Sequence, residues 1–179
     1  MSSSPVVIDT PRLLLVLNST ESVLASIEKM SPEDQAEVSP DWLARVRSSP
    51  PSPWTHGFGV VERETNSVIG YSAFKGPPDA NGVVEIAYGI APTHRGHGYA
   101  KETASALTDF ALGAGARHVI AHTRQENNAS TRVLKHCGFA YVGAVIDPED
   151  GPVWRWEFVA MDGRDRPDSR AAGPNQRDA

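Results

Sequence analysis

Apolar and polar residues follow two distinct patterns along this chain. Short apolar runs bounded by turn residues predict strands at 8–17, 58–63, 68–74, 83–90, 118–123, 139–145 and 153–159. Apolar residues that recur every three or four positions behind a capping residue predict helices from Thr20, from Pro40, from Ala100 to Gly113, and from Asn127 to His136. The consecutive strands between 58 and 90 predict an antiparallel meander, and the whole order indicates one α+β domain.

Composition narrows the class of protein. The chain has 179 residues and a formal net charge of -5, without a run of clustered Lys and Arg, so no nucleic-acid partner is predicted. Its single cysteine, Cys137, excludes an intramolecular disulfide and favours a cytoplasmic location. No apolar stretch is long enough for a bilayer, so no membrane association is predicted. The domain is predicted to span 8–160, between a flexible N-terminus at 1–7 and a disordered tail at 161–179.

Two glycines interrupt the chain where a strand gives way to a helix, in Arg95-Gly96-His97-Gly98-Tyr99-Ala100. The first amides of a helix have no internal partner and form a site for an anion, and glycine lets a phosphate approach the backbone. A simple turn is the alternative. A dinucleotide fingerprint would need a small residue where Lys101 stands, and a Walker loop would need Gly-Lys-Ser/Thr.

The same residues carry a family resemblance. Residues 95–100 match the Arg/Gln-x-x-Gly-x-Gly/Ala signature of the GNAT superfamily of acyl-CoA-dependent N-acyltransferases, and 127–139 resemble its second conserved region. Residues 9–13 and 84–90 look like the branch that includes the ribosomal-protein N-terminal acetyltransferases. The resemblance covers roughly 8–160. It implies a mixed, mostly antiparallel sheet flanked by helices, with a splayed strand pair at 83–90 and 118–123.

The resemblance implies acetyl-CoA as co-substrate. Its pyrophosphate would lie on the amides of the glycine turn, and its pantetheine arm would add to the splayed strand like a further strand. The cofactor-binding residues implied in this way are Ile90, Ala91, Arg95, Gly96, His97, Gly98, Tyr99, Ala100 and Asn127. For Asn127, the alternative is a helix N-cap, and one residue could do both.

Acetyl transfer to an amine needs a proton acceptor. Alternation places Glu85 on the same face as the small residues Ala87 and Gly89, which leaves room for a ligand, so Glu85 is the candidate general base. An ordinary salt-bridged carboxylate is the alternative. Many relatives have a tyrosine proton donor where this chain has Leu134. The ribosomal-protein branch often has a serine at the position of Ser130, so the resemblance implies Ser130 as the candidate donor to the departing thiolate, unless it only completes the first turn of its helix.

Other proton donors stay open. Tyr88, Tyr99 and Tyr141 are unplaced alternatives to Ser130, and a CoA thiol can also leave as thiolate without an acid. Electrostatic help for the carbonyl oxygen would come from strand amides near Ile90.

The remaining candidates point to packing rather than chemistry. His118 and His122 would lie about 13 Å apart along a strand, too far to share a metal, so no metal is predicted. Trp154 and Trp156 are predicted to fill the core.

The function that the resemblance implies is acetyl transfer from acetyl-CoA to a primary amine, of a protein N-terminus, a peptide or a small molecule, by direct attack. A non-catalytic acyl-CoA-binding regulator is the alternative from another class, and a nucleotide-binding module is a third. A homodimer is left open.

Overall fold

The computed structural model describes residues 5–159, which fold into one eight-stranded sheet with five α-helices. The strands are β1 Val7–Asp9, β2 Leu13–Leu17, β3 Phe58–Glu62, β4 Ser67–Phe74, β5 Val83–Ile90, β6 His118–Thr123, β7 Ala140–Asp147 and β8 Gly151–Val159. The helices are α1 Thr20–Glu28, α2 Pro32–Glu37, α3 Pro40–Ser48, α4 Tyr99–Gly113 and α5 Ala129–His136. The tail predicted at 161–179 and residues 1–4 of the predicted N-terminal segment lie outside the described residues.

The structure departs from the predicted elements in two places. The first strand is divided into β1 and β2, because the Thr10 amide donates to the carbonyl oxygen of Leu13 and the Leu13 amide donates to the Thr10 hydroxyl, which closes a tight turn. Helix α2 was not predicted. It has a serine cap at Ser31 and a proline in its first turn, but it buries none of its residues, so it leaves no apolar periodicity in the sequence.

The strand order in the sheet is β1-β2-β3-β4-β5-β6-β8-β7. The predicted meander is confirmed, since β3, β4 and β5 pair antiparallel in sequence order. The pair β5–β6 is parallel, whereas β8 lies antiparallel between β6 and β7. The result is the mixed, mostly antiparallel sheet that the sequence predicts.

The two parallel strands diverge after three paired residues. Val83–Glu85 pair with His118–Ile120, and no pair follows toward Ile90. Strand β5 stays bonded to β4 as far as Ile90, and β6 stays bonded to β8 as far as Thr123. Each strand therefore keeps one neighbour while a gap opens between their carboxyl ends, where the resemblance implies a splayed pair.

The core lies between the sheet and α4. This helix buries Ala104, Leu107 and Ala111 against the sheet, mainly against β5. Trp156 is buried as predicted, and its indole N–H donates to the Thr123 hydroxyl at 3.0 Å, which satisfies its one polar atom. Among residues 5–159, no helix combines the length and the apolar character needed to cross a membrane.

Candidate active site

The glycine turn forms as predicted at the N-terminus of α4. Gly96 and Gly98 have φ angles of 80° and 81°, a left-handed conformation that favours glycine. Gly98 is the N-cap and offers no side chain to the helix, so the amides of residues 96–101 have no acceptor within the described part of the chain. A row of unpaired N–H groups at the positive end of a helix dipole is suited to an anion.

Arg12, in the turn between β1 and β2, is hydrogen-bonded to the glycine turn and to the first turn of α4. Its Nη1 donates to the carbonyl oxygen of His97 at 2.7 Å, and its Nε donates to the carboxylate of Glu102 at 2.8 Å. Its guanidinium also lies over the Tyr99 ring, 4.7 Å from the centroid. The hydroxyl of Thr10 donates to the same Glu102 carboxylate at 2.6 Å. The β1–β2 turn therefore fixes the start of α4.

The bonds that Glu102 accepts from Thr10 and Arg12 are expected to make the stability of the fold depend on pH. Burial raises the pKa of Glu102, but hydrogen bonds from Thr10 and Arg12 outweigh burial, so the pKa lies below its ordinary value. A lowered pKa in the folded state contributes stability that is present above the unfolded pKa, about 4.3, and is lost as the pH falls through the folded pKa. Glu102→Gln should lower the free energy of unfolding by about 1–2 kcal/mol at neutral pH.

The difference in free energy of unfolding between the unaltered protein and Glu102→Gln should decrease below about pH 4, because the Glu102 carboxylate is then protonated and uncharged. Urea unfolding across this pH range measures the effect, and the exposed Glu37→Gln is the control. A difference that does not vary with pH would contradict the role given to the carboxylate charge.

A cleft of about 1190 Å³, hereafter the large cleft, runs from the glycine turn along β5 to α5. Four cationic side chains line it, Arg95, Lys101, Arg124 and Arg132, against one carboxylate, Glu126. The chain as a whole is acidic, so this concentration of positive charge is a property of the fold. It suits a ligand with several phosphate charges.

Strand β5 presents free main-chain groups to the large cleft. The Lys75 amide bonds the carbonyl of Glu85, and the Ala91 amide bonds that of Ile69. Since main-chain groups alternate in direction along a strand, those of Tyr88 and Ile90 are directed away from β4, toward the gap. The carbonyl of Ile90 accepts from Arg95 Nε at 3.0 Å.

Ala91 does not fit its predicted role. Its amide is bonded to Ile69, and its carbonyl accepts from His94, so both groups serve the turn after β5. The main-chain groups of Tyr88 and the amide of Ile90 remain directed toward the gap.

Two of the predicted cofactor-binding residues, His97 and Asn127, do not line the large cleft. His97 is exposed, outside the lining of the large cleft, and its Nδ1 lies 3.2 Å from the carbonyl oxygen of His94. Asn127 is exposed and does not line the cleft. The N-cap of α5 is the next residue, Asn128, which does line the cleft and forms a reciprocal capping box with Thr131.

The first turn of α5 is capped by Asn128 and Thr131 rather than by Ser130. Asn128 and Thr131 complete the first turn of α5, whereas Ser130 is exposed and lines the large cleft. Its hydroxyl is therefore placed for contact with a ligand.

The three unplaced tyrosines are separated by their surroundings. Tyr99 donates its hydroxyl to Glu62 at 2.5 Å, and Tyr141 is half exposed on the edge strand β7. Tyr88 lines the large cleft, and its buried hydroxyl has no hydrogen-bond partner among the described residues. Burial raises the pKa of Tyr88, so the hydroxyl carries its proton at neutral pH. Of the three, Tyr88 has the hydroxyl that suits a proton donor.

Glu85 lies in a charged cluster at the point where β5 and β6 diverge. Its Oε1 is 3.0 Å from Nδ1 of His122 and 3.3 Å from Nζ of Lys75. Nδ1 of His122 is also 3.5 Å from Asp147 Oδ2, and Lys75 Nζ is 3.0 Å from Asp150 Oδ2. Sequence reasoning singled out Glu85 and missed this environment, because its members come from four separate segments.

Lys75 and Asp147 are held in their charged forms by their neighbours. Burial lowers the pKa of Lys75, but its hydrogen bond to Asp150 and the charges of Glu85 and Asp150 outweigh burial and raise it. Hydrogen bonds from the amides of Asp150 and Glu149 lower the pKa of Asp147, with burial opposing them. Ligand atoms of Glu85, His122 and Asp147 lie within 4.8 Å of one another, a spacing compatible with a metal ion. His118 does not belong to this group and pairs with Glu157 at 2.8 Å.

Comparison with known proteins places the chain in a family. The model of the family described as Acetyltransferase (GNAT) domain matches residues 5–140. The uncharacterized N-acetyltransferase YjdG of Bacillus subtilis (strain 168) is 32% identical over 109 residues, which are 59% of this chain and 62% of that protein. The chain therefore matches about three fifths of this relative's length, and about half of the length of the further curated relatives.

Solved structures share the fold. RimL, a ribosomal L7/L12 alpha-N-protein acetyltransferase in complex with coenzyme A, superposes with a TM-score of 0.65 at 17% identity, over 86% of this chain and 98% of that one. A chimera of spermidine N-acetyltransferase SpeG from Vibrio cholerae and hSSAT gives 0.63 at 18% identity, over 83% and 95%. The family match over most of the chain, joined to a glycine turn and a splayed strand pair, shows that this chain belongs to the GNAT acetyltransferase family.

Proposed function

We propose that the protein transfers an acetyl group from acetyl-CoA to a primary amine, by direct attack of the amine nitrogen on the thioester carbonyl. The observation that carries the proposal is the row of unpaired amides at residues 96–101, which opens into a large cleft lined by four cations. The amides and Arg95 would hold the pyrophosphate, and the main-chain groups of Tyr88 with the amide of Ile90 would hold pantetheine. The carbonyl oxygen would receive help from a strand amide near Ile90.

Glu85 is proposed as the general base. One of its oxygens is held by His122 and Lys75, and Oε2 makes no hydrogen bond within residues 5–159. A fixed carboxylate with a free oxygen can accept the proton that the acceptor's ammonium must lose. Nitrogen then bonds to the carbonyl carbon, the carbon–sulfur bond breaks, and sulfur takes a proton or leaves as thiolate.

The proton donor to sulfur is proposed to be Ser130 or Tyr88, which both line the large cleft. The unpaired hydroxyl of Tyr88 favours Tyr88. We expect Tyr88→Phe to lower kcat about 10-fold, and Ser130→Ala to lower it less, since Ser130 is exposed and water can replace its hydroxyl. Measured thiol release at saturating substrates tests this order. A smaller loss for Tyr88→Phe than for Ser130→Ala would assign the role to Ser130.

The acceptors named for the structural neighbours are amines of a ribosomal protein and of spermidine. Release of free CoA thiol, measured with a panel of amines, tests the proposed activity of this chain. Tight CoA binding without turnover of any amine would favour the non-catalytic regulator, and a preference for nucleotides over CoA would favour a nucleotide-binding module. A cytoplasmic location, a homodimer and the lack of a nucleic-acid partner remain predictions.

A further inference from the structure

A small cavity of about 170 Å³ adjoins the large cleft where β5 and β6 diverge. The two share Tyr71, Tyr88 and Ser130, so a thioester in the large cleft would meet an acceptor in the small cavity at these residues. The Tyr71 ring lies against Gly89, where a Cβ would come within 2.5 Å of it, so a larger residue at 89 would displace the ring. At about 30 Å³ per water-sized group, the cavity admits roughly six groups, enough for an amine on a short chain.

The charges around the small cavity are mainly negative. Glu85 and Asp150 line it, and Asp147 lies behind His122. The cationic residue of the lining is Lys75, whose ammonium is already bonded to Asp150 and Glu85. Within the described part of the chain, the cavity therefore offers no free cation to a negatively charged group. The small cavity is therefore mainly negative, whereas the large cleft is mainly positive.

His122 indicates that the cavity receives a polar group. Its side chain is 10% exposed and lines the cavity, and its Nδ1 is held by Glu85 and Asp147. Its Nε2 is buried and has no partner among residues 5–159. Buried polar atoms are nearly always hydrogen-bonded. In the neutral ring with its proton on Nδ1, which faces Glu85 and Asp147, Nε2 is an acceptor without a donor. The N–H of an amine supplies one.

A metal ion is the competing occupant, since Glu85, His122 and Asp147 bring three ligand atoms together. A dication held through Nδ1 of His122 and Oε1 of Glu85 would compete with the bond between these two atoms and with the bond from Lys75 to Oε1. Binding would break these bonds and place two positive charges beside the Lys75 ammonium. An ammonium can use Oε2 of Glu85 and leave the cluster intact.

We propose that the small cavity is the acceptor site, and that it selects a primary ammonium on a slim carbon chain with no carboxylate beside the amine. This inference rests on the proposed acetyl transfer. An acceptor carboxylate would lie among Glu85, Asp147 and Asp150 without a free cation, and like charges at such distances repel strongly. Amino acid amides and alkyl diamines have the selected chemistry, and free amino acids do not.

Alaninamide and alanine form a matched pair of acceptors. The kcat/KM for alaninamide should exceed that for alanine at least about 10-fold at neutral pH. Asp150→Asn removes a charged partner of Lys75. The Lys75 ammonium should then bind the carboxylate of alanine, which lowers the ratio of the two kcat/KM values. Asp109→Asn, on the exposed face of α4, should leave the ratio unchanged. Equal use of both acceptors by the unaltered protein would overturn the inference.

Binding without turnover gives an independent test. 1-Aminopropane, propionate and Zn²⁺ are titrated separately into the full chain in the presence of CoA, and the ring protons of His122 are followed by NMR. His122→Asn assigns the signals, and His118, paired with Glu157 on the same strand, is the internal control. Aminopropane should shift the His122 signals saturably while propionate leaves them unchanged.

Equal shifts with propionate, or tight Zn²⁺ binding without an effect of the amine, would overturn the acceptor assignment. Amine binding at His122 without any acetyl transfer would instead refute the proposed function and leave the cavity assignment standing. Acetyl transfer that favours alanine would support the proposed function and refute the proposed selection of acceptors in the small cavity.

Discussion

Replacing Gly96 and Gly98 together with valine is expected to lower the affinity for acetyl-CoA at least about 100-fold, which is about 2.7 kcal/mol. Both glycines have a left-handed φ near 80°, which a β-branched residue adopts at a cost of about 1–3 kcal/mol. The turn would relax to another shape, and its amides would no longer converge on one anion. Added side chains would also keep a phosphate from the backbone. Calorimetric titration with acetyl-CoA and with CoA measures the loss.

Gly115→Val separates this effect from general destabilisation. Gly115 follows the other end of α4, has a φ of 98° and has no atom within 4 Å of a built Cβ, so its strain is comparable. Gly115→Val should cost about as much stability as either of the two glycine replacements alone, and it should leave the acetyl-CoA affinity unchanged. If the double variant still bound acetyl-CoA as well as the unaltered protein, the glycine turn would not be the diphosphate site.

Glu85→Gln is expected to lower kcat about 100-fold to 1000-fold, because a positioned general base contributes about 10² to 10⁴ in rate. Glutamine can still bond His122 but cannot accept a proton from the acceptor. The affinity for acetyl-CoA should change little, since Glu85 does not line the large cleft. Steady-state kinetics with an amine acceptor, together with calorimetry for acetyl-CoA, separate the two effects.

The protein contains a matched control for this variant. Glu157 bonds Nδ1 of His118 at 2.8 Å, as Glu85 bonds Nδ1 of His122 at 3.0 Å, but Glu157 lines neither the large cleft nor the small cavity. Glu157→Gln should leave kcat within about 3-fold of the unaltered protein, as surface changes usually do. Equal losses in both variants would mean that Glu85 acts on stability rather than on proton transfer.

The two regions of opposite charge would let one small domain bind both of the proposed substrates. Four cationic side chains line the large cleft beside the glycine turn, and two carboxylates line the small cavity where β5 and β6 diverge. They meet at Tyr88 and Ser130. An anionic donor and a cationic acceptor would therefore be drawn to different entrances and brought together at the same point.

The sequence alone determined the elements whose signals are local. The meander follows from apolar runs between turn residues, and the start of α4 follows from glycines at positions that need a left-handed φ. Both depend on residues close in the chain, so both can be deduced from the order of residues. The alternation in β5 likewise placed Glu85 on a face with small neighbours.

Only the tertiary structure decided the surroundings of these elements. It inserted β8 between β6 and β7, brought Arg12 onto the glycine turn, and moved the cap of α5 from Asn127 to Asn128. It also assembled the cationic lining and the cluster around Glu85 from distant segments. Strand pairing joins residues with no periodic relation in the sequence, and electrostatic fields add across space, so neither can be deduced from local patterns.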